Sequence, residues 1–205
     1  MLANYHVAVL TKALGQYFSP GALQEIVAAN LGQDSPFNLL RSVIHFDNSL
    51  ITEGLAYIEE QHSLIVHAED PHVMRAAFGR LSHTAQDFYS HSNYVDLWLK
   101  ANGGLEKTRY EDINGLDLAI LDHPDLRTAY FYIWRDWIYY IPLLANVTRK
   151  YLVFPNSHEA MHLDSPDRGP RFPYSIVAAK QRTLAEHHRA VQNLSAARAR
   201  LFHGL

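Results

Sequence analysis

The chain has 205 residues, of which 48% are hydrophobic and 19% charged, an ordinary balance for a folded globular protein that excludes intrinsic disorder. Its formal net charge of -3 gives no electrostatic reason to bind nucleic acid or an anionic membrane passively. It has no cysteine, which excludes disulfides and thiolate metal sites, and thirteen histidines where average usage gives about five, an excess that points to metal binding or proton chemistry.

In chain order the signals are helical. Residues 4–15 carry Val7, Val9, Leu10 and Leu14 and close at Gly15. Ser19-Pro20 and Ser35-Pro36 each place a capping side chain before a proline, predicting helices over 20–31 and 36–45. A helix is expected over 49–62, and Asp70-Pro71 opens a long one over 71–100. The alternation in SLIVHAE (63–69) is a weak strand signal. Residues 125–153 are aromatic and aliphatic, with Pro142 as a kink or break, and 155–173 read as a proline-rich loop. The last helix, 174–202, places Val177, Leu184, Val191 and Leu194 on one stripe. The expectation is an all-α, single-domain bundle of six or seven helices spanning 1–205. No 18-residue apolar run predicts a membrane span, and MLANYHVAVLTKAL lacks the basic start of a signal peptide, so the chain reads as cytoplasmic or already trimmed of a leader.

The stretch HTAQDFYSHSNY (83–94) places His83, Asp87 and His91 at four-residue intervals. On a helix these project from one face, each roughly 6 Å along from the last. Imidazole and carboxylate are what Zn²⁺ accepts where no thiolate is offered. The alternatives are a solvated polar stripe or core histidines satisfied by Asp87. Phe78, Leu81, Phe88, Tyr89 and Tyr94 argue against a solvated face, and a buried carboxylate needs a compensating charge. Gly79 offers room for a second backbone. Further ligand candidates are His6, Asp47 in HFDN (45–48), His62, and His158 with His162 four residues on. Histidines 67, 72, 123, 187 and 203 are read as surface residues and His188 as core.

HTAQDFYSHSNY, preceded by AAFGRL, together with HFDN and more loosely HVAVLTKAL and HLDSP (162–166), resembles the signature of the HET-C (heterokaryon incompatibility) family. That family looks like a distant relative of zinc-dependent phospholipase C and of zinc nucleases that cut single strands, all-α enzymes with a zinc cluster. The resemblance implies that His6, Asp47, His62, His83, Asp87 and His91, with His158 from the later pair, hold one to three Zn²⁺ ions. It differs from those enzymes in the four-residue step from Asp87 to His91, in the Met1-Leu2-Ala3 start and in the lack of an acid in the closing pair, which favours one or two ions over three.

The implied activity is a zinc-dependent phosphoesterase that hydrolyses phosphodiester or phospholipid head-group bonds. A metal-activated water attacks phosphorus, Asp47 binds metal and acts as base, and Asp87 holds or bridges the ions. Tyr89, Tyr94 and the run Tyr130–Tyr140 are candidates for an apolar trough, although core packing is the simpler reading for Trp134, Trp137 and most of that run. Arg135, Arg149 and Lys150 are candidate phosphate holders. The alternative is a non-catalytic, metal-stabilised HET-C domain acting by partner recognition or as a toxin. The acidic net charge favours a small or lipid phosphoester over nucleic acid as partner, and the sequence sets no oligomeric state.

Overall fold

The fold rests on a helix that is buried all round. In a computed structural model, which describes residues 1–132, 141 and 153–205, helix α4 spans Pro71–His91, and every residue from Leu81 to His91 is buried. Asp70 caps it by accepting from the His72 N–H at 2.8 Å, with Pro71 in the first turn where no backbone donor is lost. A helix with no solvent-facing stripe must be enclosed by others. Helices α1 (Ala3–Leu14), α2 (Pro20–Leu31), α3 (Ile51–His67) and α8 (Phe172–Gln192) supply most of that enclosure, with α2, α3 and α8 packed directly on α4.

Among the described residues there are nine α-helices and no strand beyond two isolated bridges, so the all-α expectation holds. Besides those above they are α5 (Tyr94–Ala101), α6 (Leu118–Leu121), α7 (His158–Met161) and α9 (Ala196–His203). None of them is long and apolar enough to cross a membrane. The close approach offered by Gly79 is used by α2: a Cβ there would overlap the Ile26 carbonyl oxygen and lie 2.7 Å from Ala29 Cβ. Tyr89 and Tyr94 are fully buried and donate their hydroxyls to the Gly115 and Asn114 carbonyls, so they belong to the core and line no trough.

Four boundaries differ from the sequence reading. Residues 36–45 form turns, not a helix: Phe37, Leu39 and Leu40 stay exposed, and only Ile44 and His45 at the end of the segment are buried. The weak strand signal at 63–69 is the end of α3, which runs to His67. The helix expected over 71–100 breaks at Ser92-Asn93. There the Asn93 side chain accepts from Arg127 N–H and donates to the Asp125 carbonyl, both at 2.9 Å, a side-chain alternative that displaces the helical ladder. The final helix breaks at Asn193, and Ser195 caps a separate α9 by accepting from Arg198 N–H. The loop 155–173 holds the one-turn α7 and a 3₁₀ turn at Pro166–Arg168. Pro142, Trp134, Trp137, Arg135, Arg149 and Lys150 lie outside the described residues.

Candidate metal centre

His83, Asp87 and His91 lie on the buried face of α4 at no more than 4% exposure. Asp87 is the hub. Its Oδ2 is 3.0 Å from His83 Nε2 and 2.9 Å from His45 Nδ1, and those two nitrogens are 3.2 Å apart. Its Oδ1 is 3.2 Å from His6 Nε2 on α1 and 2.7 Å from the Met1 nitrogen, which is also 2.9 Å from Asp164 Oδ1. The His6 and His83 rings stack with centroids 4.3 Å apart.

A second focus adjoins the first. His91 Nε2 lies 3.2 Å from both Asp164 Oδ1 and His158 Nε2, and His91 Nδ1 lies 3.6 Å from Asp47 Oδ1. His162 Nδ1 is 3.0 Å from Asp164 Oδ2. Four overlapping groups could each hold an ion: His6, His83 and Asp87; Asp34, His45 and His83; Asp47, His91 and His158; and His158, His162 and Asp164. A tetrahedral Zn²⁺ with ligands at roughly 2.0–2.1 Å separates neighbouring donors by roughly 3.3 Å. The separations of 2.9–3.2 Å between His6, His45, His83 and the two oxygens of Asp87 fall close to that value.

Hydrogen bonding fixes which ring nitrogens face inward. His91 Nδ1 donates to the His45 carbonyl at 2.9 Å, which leaves Nε2 for Asp164 and His158. His6 Nδ1 donates to Gln86 Oε1 at 2.6 Å, and Gln86 is oriented by its own Nε2, which donates to Thr183 Oγ1 at 3.1 Å. His6 Nε2 is thereby turned toward Asp87 Oδ1 and makes no hydrogen bond. An imidazole nitrogen set against a buried carboxylate without a hydrogen bond is a donor pair of the kind a cation can take. Asp47 Oδ1 is likewise buried without a hydrogen-bond partner.

The electrostatics fit a cation site. Burial holds His83 down to about 3, against the pull of Asp87, so this imidazole is neutral as a ligand must be. Burial also pushes His158 well below the usual histidine range, helped by His91. Asp87 and Asp164 are kept well below the usual carboxylate range: burial opposes this, but the Met1 amine and His91, with His83 beside Asp87 and His162 beside Asp164, outweigh it. Burial raises Asp47 to about 6. His91 rises to about 9 because Asp87, Asp164 and Asp47 outweigh its desolvation, so a proton on this ring stands where a cation would relieve the same three carboxylates.

The loop that carries His45 and Asp47 is held in an unusual shape. Phe46, Asn48 and Ser49 all have positive φ, at 54°, 61° and 54°. The strain is met by bonds to a distant segment: Asn48 N–H donates to the Ala129 carbonyl at 2.6 Å, Phe131 N–H to Asn48 Oδ1 at 2.9 Å, and Ser49 N–H to Thr128 Oγ1 at 3.0 Å. The cluster opens on a cavity of about 420 Å³ whose wall includes Asp34, His45, Asp87, His158 and Asp164, with Leu39, Leu40 and Phe131 as its apolar part.

Of the seven expected ligands, His6, Asp47, His83, Asp87, His91 and His158 converge, and His62 does not. His62 faces α8, where its Nε2 is 2.6 Å from Glu186 Oε2, the partner also of Arg182. His162, a candidate beside His158, lies in one of these groups, and Asp34, His45 and Asp164 join them without having been singled out, although HFDN contains His45 and HLDSP contains Asp164. Two further histidine readings reverse: His187 is buried, 2.9 Å from His203, and its neighbour His188 is exposed, because the α8 core stripe is offset by one residue from the one expected.

Residues 3–107, about half of the chain, match the family model of the VWA7 N-terminal domain. The chain is also 35% identical over 92 residues to the human von Willebrand factor A domain-containing protein 7, a match covering 40% of this chain and 10% of that protein. The chain thus spans about a tenth of the length of the curated relative it matches. No solved structure matches it. The HET-C resemblance is overturned by these matches, and its link to zinc phospholipases falls with it. QDFYSHSN and HFDN both lie inside the matched region. The phosphoesterase reading rested on the resemblance and is withdrawn, with the hydrolytic role of Asp47 and the alternative of a HET-C recognition or toxin domain. This chain belongs to the family of VWA7 N-terminal domains.

Proposed function

We propose that this domain is a divalent-cation-binding domain whose buried histidine–carboxylate cluster takes Zn²⁺. The observation that carries the reading is the convergence of His6 Nε2, His83 Nε2 and His45 Nδ1 within 2.9–3.2 Å of the two oxygens of buried Asp87, with His6 Nε2 making no hydrogen bond. A cation held by His6, His83 and Asp87 would use these donors together. The donor set favours zinc. Imidazole suits zinc better than it suits magnesium or calcium, which prefer oxygen, and the chain has no thiolate. His45, His91, His158 and Asp164 supply further donors at the cavity wall, where an ion remains accessible to an exogenous ligand.

The test is metal analysis of the purified chain with and without added zinc. At least about one equivalent is expected, and removal by chelator should lower the melting temperature because cation binding contributes to the folded state alone. Less than about a tenth of an equivalent, with no uptake from zinc-containing buffer, removes the proposal.

A further inference from the structure

Helices α1 and α8 run side by side in the same direction: the Tyr5 and Phe172 rings near their starts meet at 4.8 Å, and Tyr17, three residues past the end of α1, meets His187 toward the end of α8 at 4.5 Å. Between these two contacts lies a groove of about 450 Å³, within the size range of sites for small ligands. Its α1 wall is Tyr5, Ala8, Val9 and Lys12, the i, i+3, i+4, i+7 stripe of one helix face. Its α8 wall includes Phe172, Ile176 and Lys180. The parallel register sorts these chemically. Aromatic rings gather at the Tyr5–Phe172 end, where Tyr110 also lines the groove, and the two lysines gather at the other. From Tyr5 to Lys12 is about 10 Å along the helix, and from Phe172 to Lys180 about 12 Å.

Neither lysine forms an ion pair among the described residues, and no acidic side chain lines the groove. We infer that the groove between α1 and α8 binds a single-headed anionic amphiphile, with its acidic head between Lys12 and Lys180 and an apolar body about 10 Å long reaching toward Tyr5 and Phe172. The two cations select the head. The apolar floor contributes affinity by removing hydrocarbon from water. This site is separate from the metal cluster and does not depend on it.

Decanoate is the probe, titrated calorimetrically below its micellar concentration into the whole chain after chelator treatment, so that no cation offers a second anion site. Decanol and decyltrimethylammonium are the comparison ligands. Saturable decanoate binding is expected, about tenfold tighter than decanol. The double variant Lys12→Glu, Lys180→Glu should reverse the order in favour of decyltrimethylammonium, and Ala8→Trp should block all three by filling the groove. Lys12 is exposed and Lys180 half-buried, neither in an ion pair among the described residues, so the double variant carries the test even if Ala8→Trp fails to fold. Absence of saturable decanoate binding, equal binding of decanoate and decanol, or decanoate binding unchanged by the charge reversal overturns the inference.

Discussion

Gln86 and His6, eighty positions apart, share a hydrogen bond of 2.6 Å that decides which face of the histidine ring looks into the cluster. Gln86 is fully buried on α4, one residue before the Asp87 hub, and Thr183 on α8 sets its amide orientation. Three helices thereby fix the ring's orientation, with Nδ1 toward Gln86 and Nε2 toward Asp87. Gln86→Leu should keep the fold and the volume but release the ring, lowering zinc affinity about 10–100-fold, the usual effect of losing the partner of a metal-bound histidine. Competition with a chromogenic chelator reads this directly; an affinity equal to wild type means that His6 is not a ligand.

Asp87→Asn should reduce zinc affinity by at least about tenfold and abolish the rise in melting temperature on adding zinc. The substitution also places an amide against the Met1 nitrogen and three imidazoles that now meet a carboxylate. Some loss of stability is therefore expected in the metal-free protein too. The outcome that separates ligand from structural acid is the zinc-dependent part of the melting shift, measured in both proteins.

Gly79→Ala should destabilise the fold by about 1–3 kcal/mol in denaturant titrations. The added Cβ would overlap the Ile26 carbonyl and crowd Ala29 Cβ, both on α2, so α2 and α4 would have to part. A mid-helix alanine ordinarily stabilises relative to glycine, so a gain in stability would show that the two helices do not meet there as described.

Stability should fall as acid is added below pH 6.5, in part through His187. Burial lowers this ring from 6.5 to about 4, with His203 and His188 as secondary causes. Tyr17, Phe18 and Phe78 surround it and offer no counter-charge. Because the folded value lies below the unfolded one, the unfolded chain binds the proton more readily between pH 6.5 and about 4, and stability drops across that window. After allowance for partial solvation the loss is about 1–2 kcal/mol. His187→Phe, compared with wild type in chelator, should flatten that part of the profile; identical profiles would place the titration elsewhere.

Much of the local architecture was legible in the sequence. Ser19-Pro20 and Asp70-Pro71 are caps whose effect reaches only a turn, and α2 and α4 begin where they say. The four-residue spacing of His83, Asp87 and His91 places them on one face by helix geometry alone, and the apolar neighbours show that this face is interior. The eight-residue block QDFYSHSN, in contrast, led to the wrong family, because a short run of matching letters does not carry ancestry by itself.

Tertiary structure decided the rest, for reasons that spacing cannot encode. His45 and Asp47 reach the cluster because a strained loop is clamped to residues 128–131, about eighty positions away. Asp164 and His162 arrive from a loop whose path is set by its docking on the end of α4, where Leu163 N–H donates to the Ser90 carbonyl. His62, in the right order along the chain, was turned away by the rotation of α3, which presents it to Glu186 instead. Within one helix, backbone geometry fixes direction; between elements, direction depends on which faces pack, and that free energy is summed over the whole core.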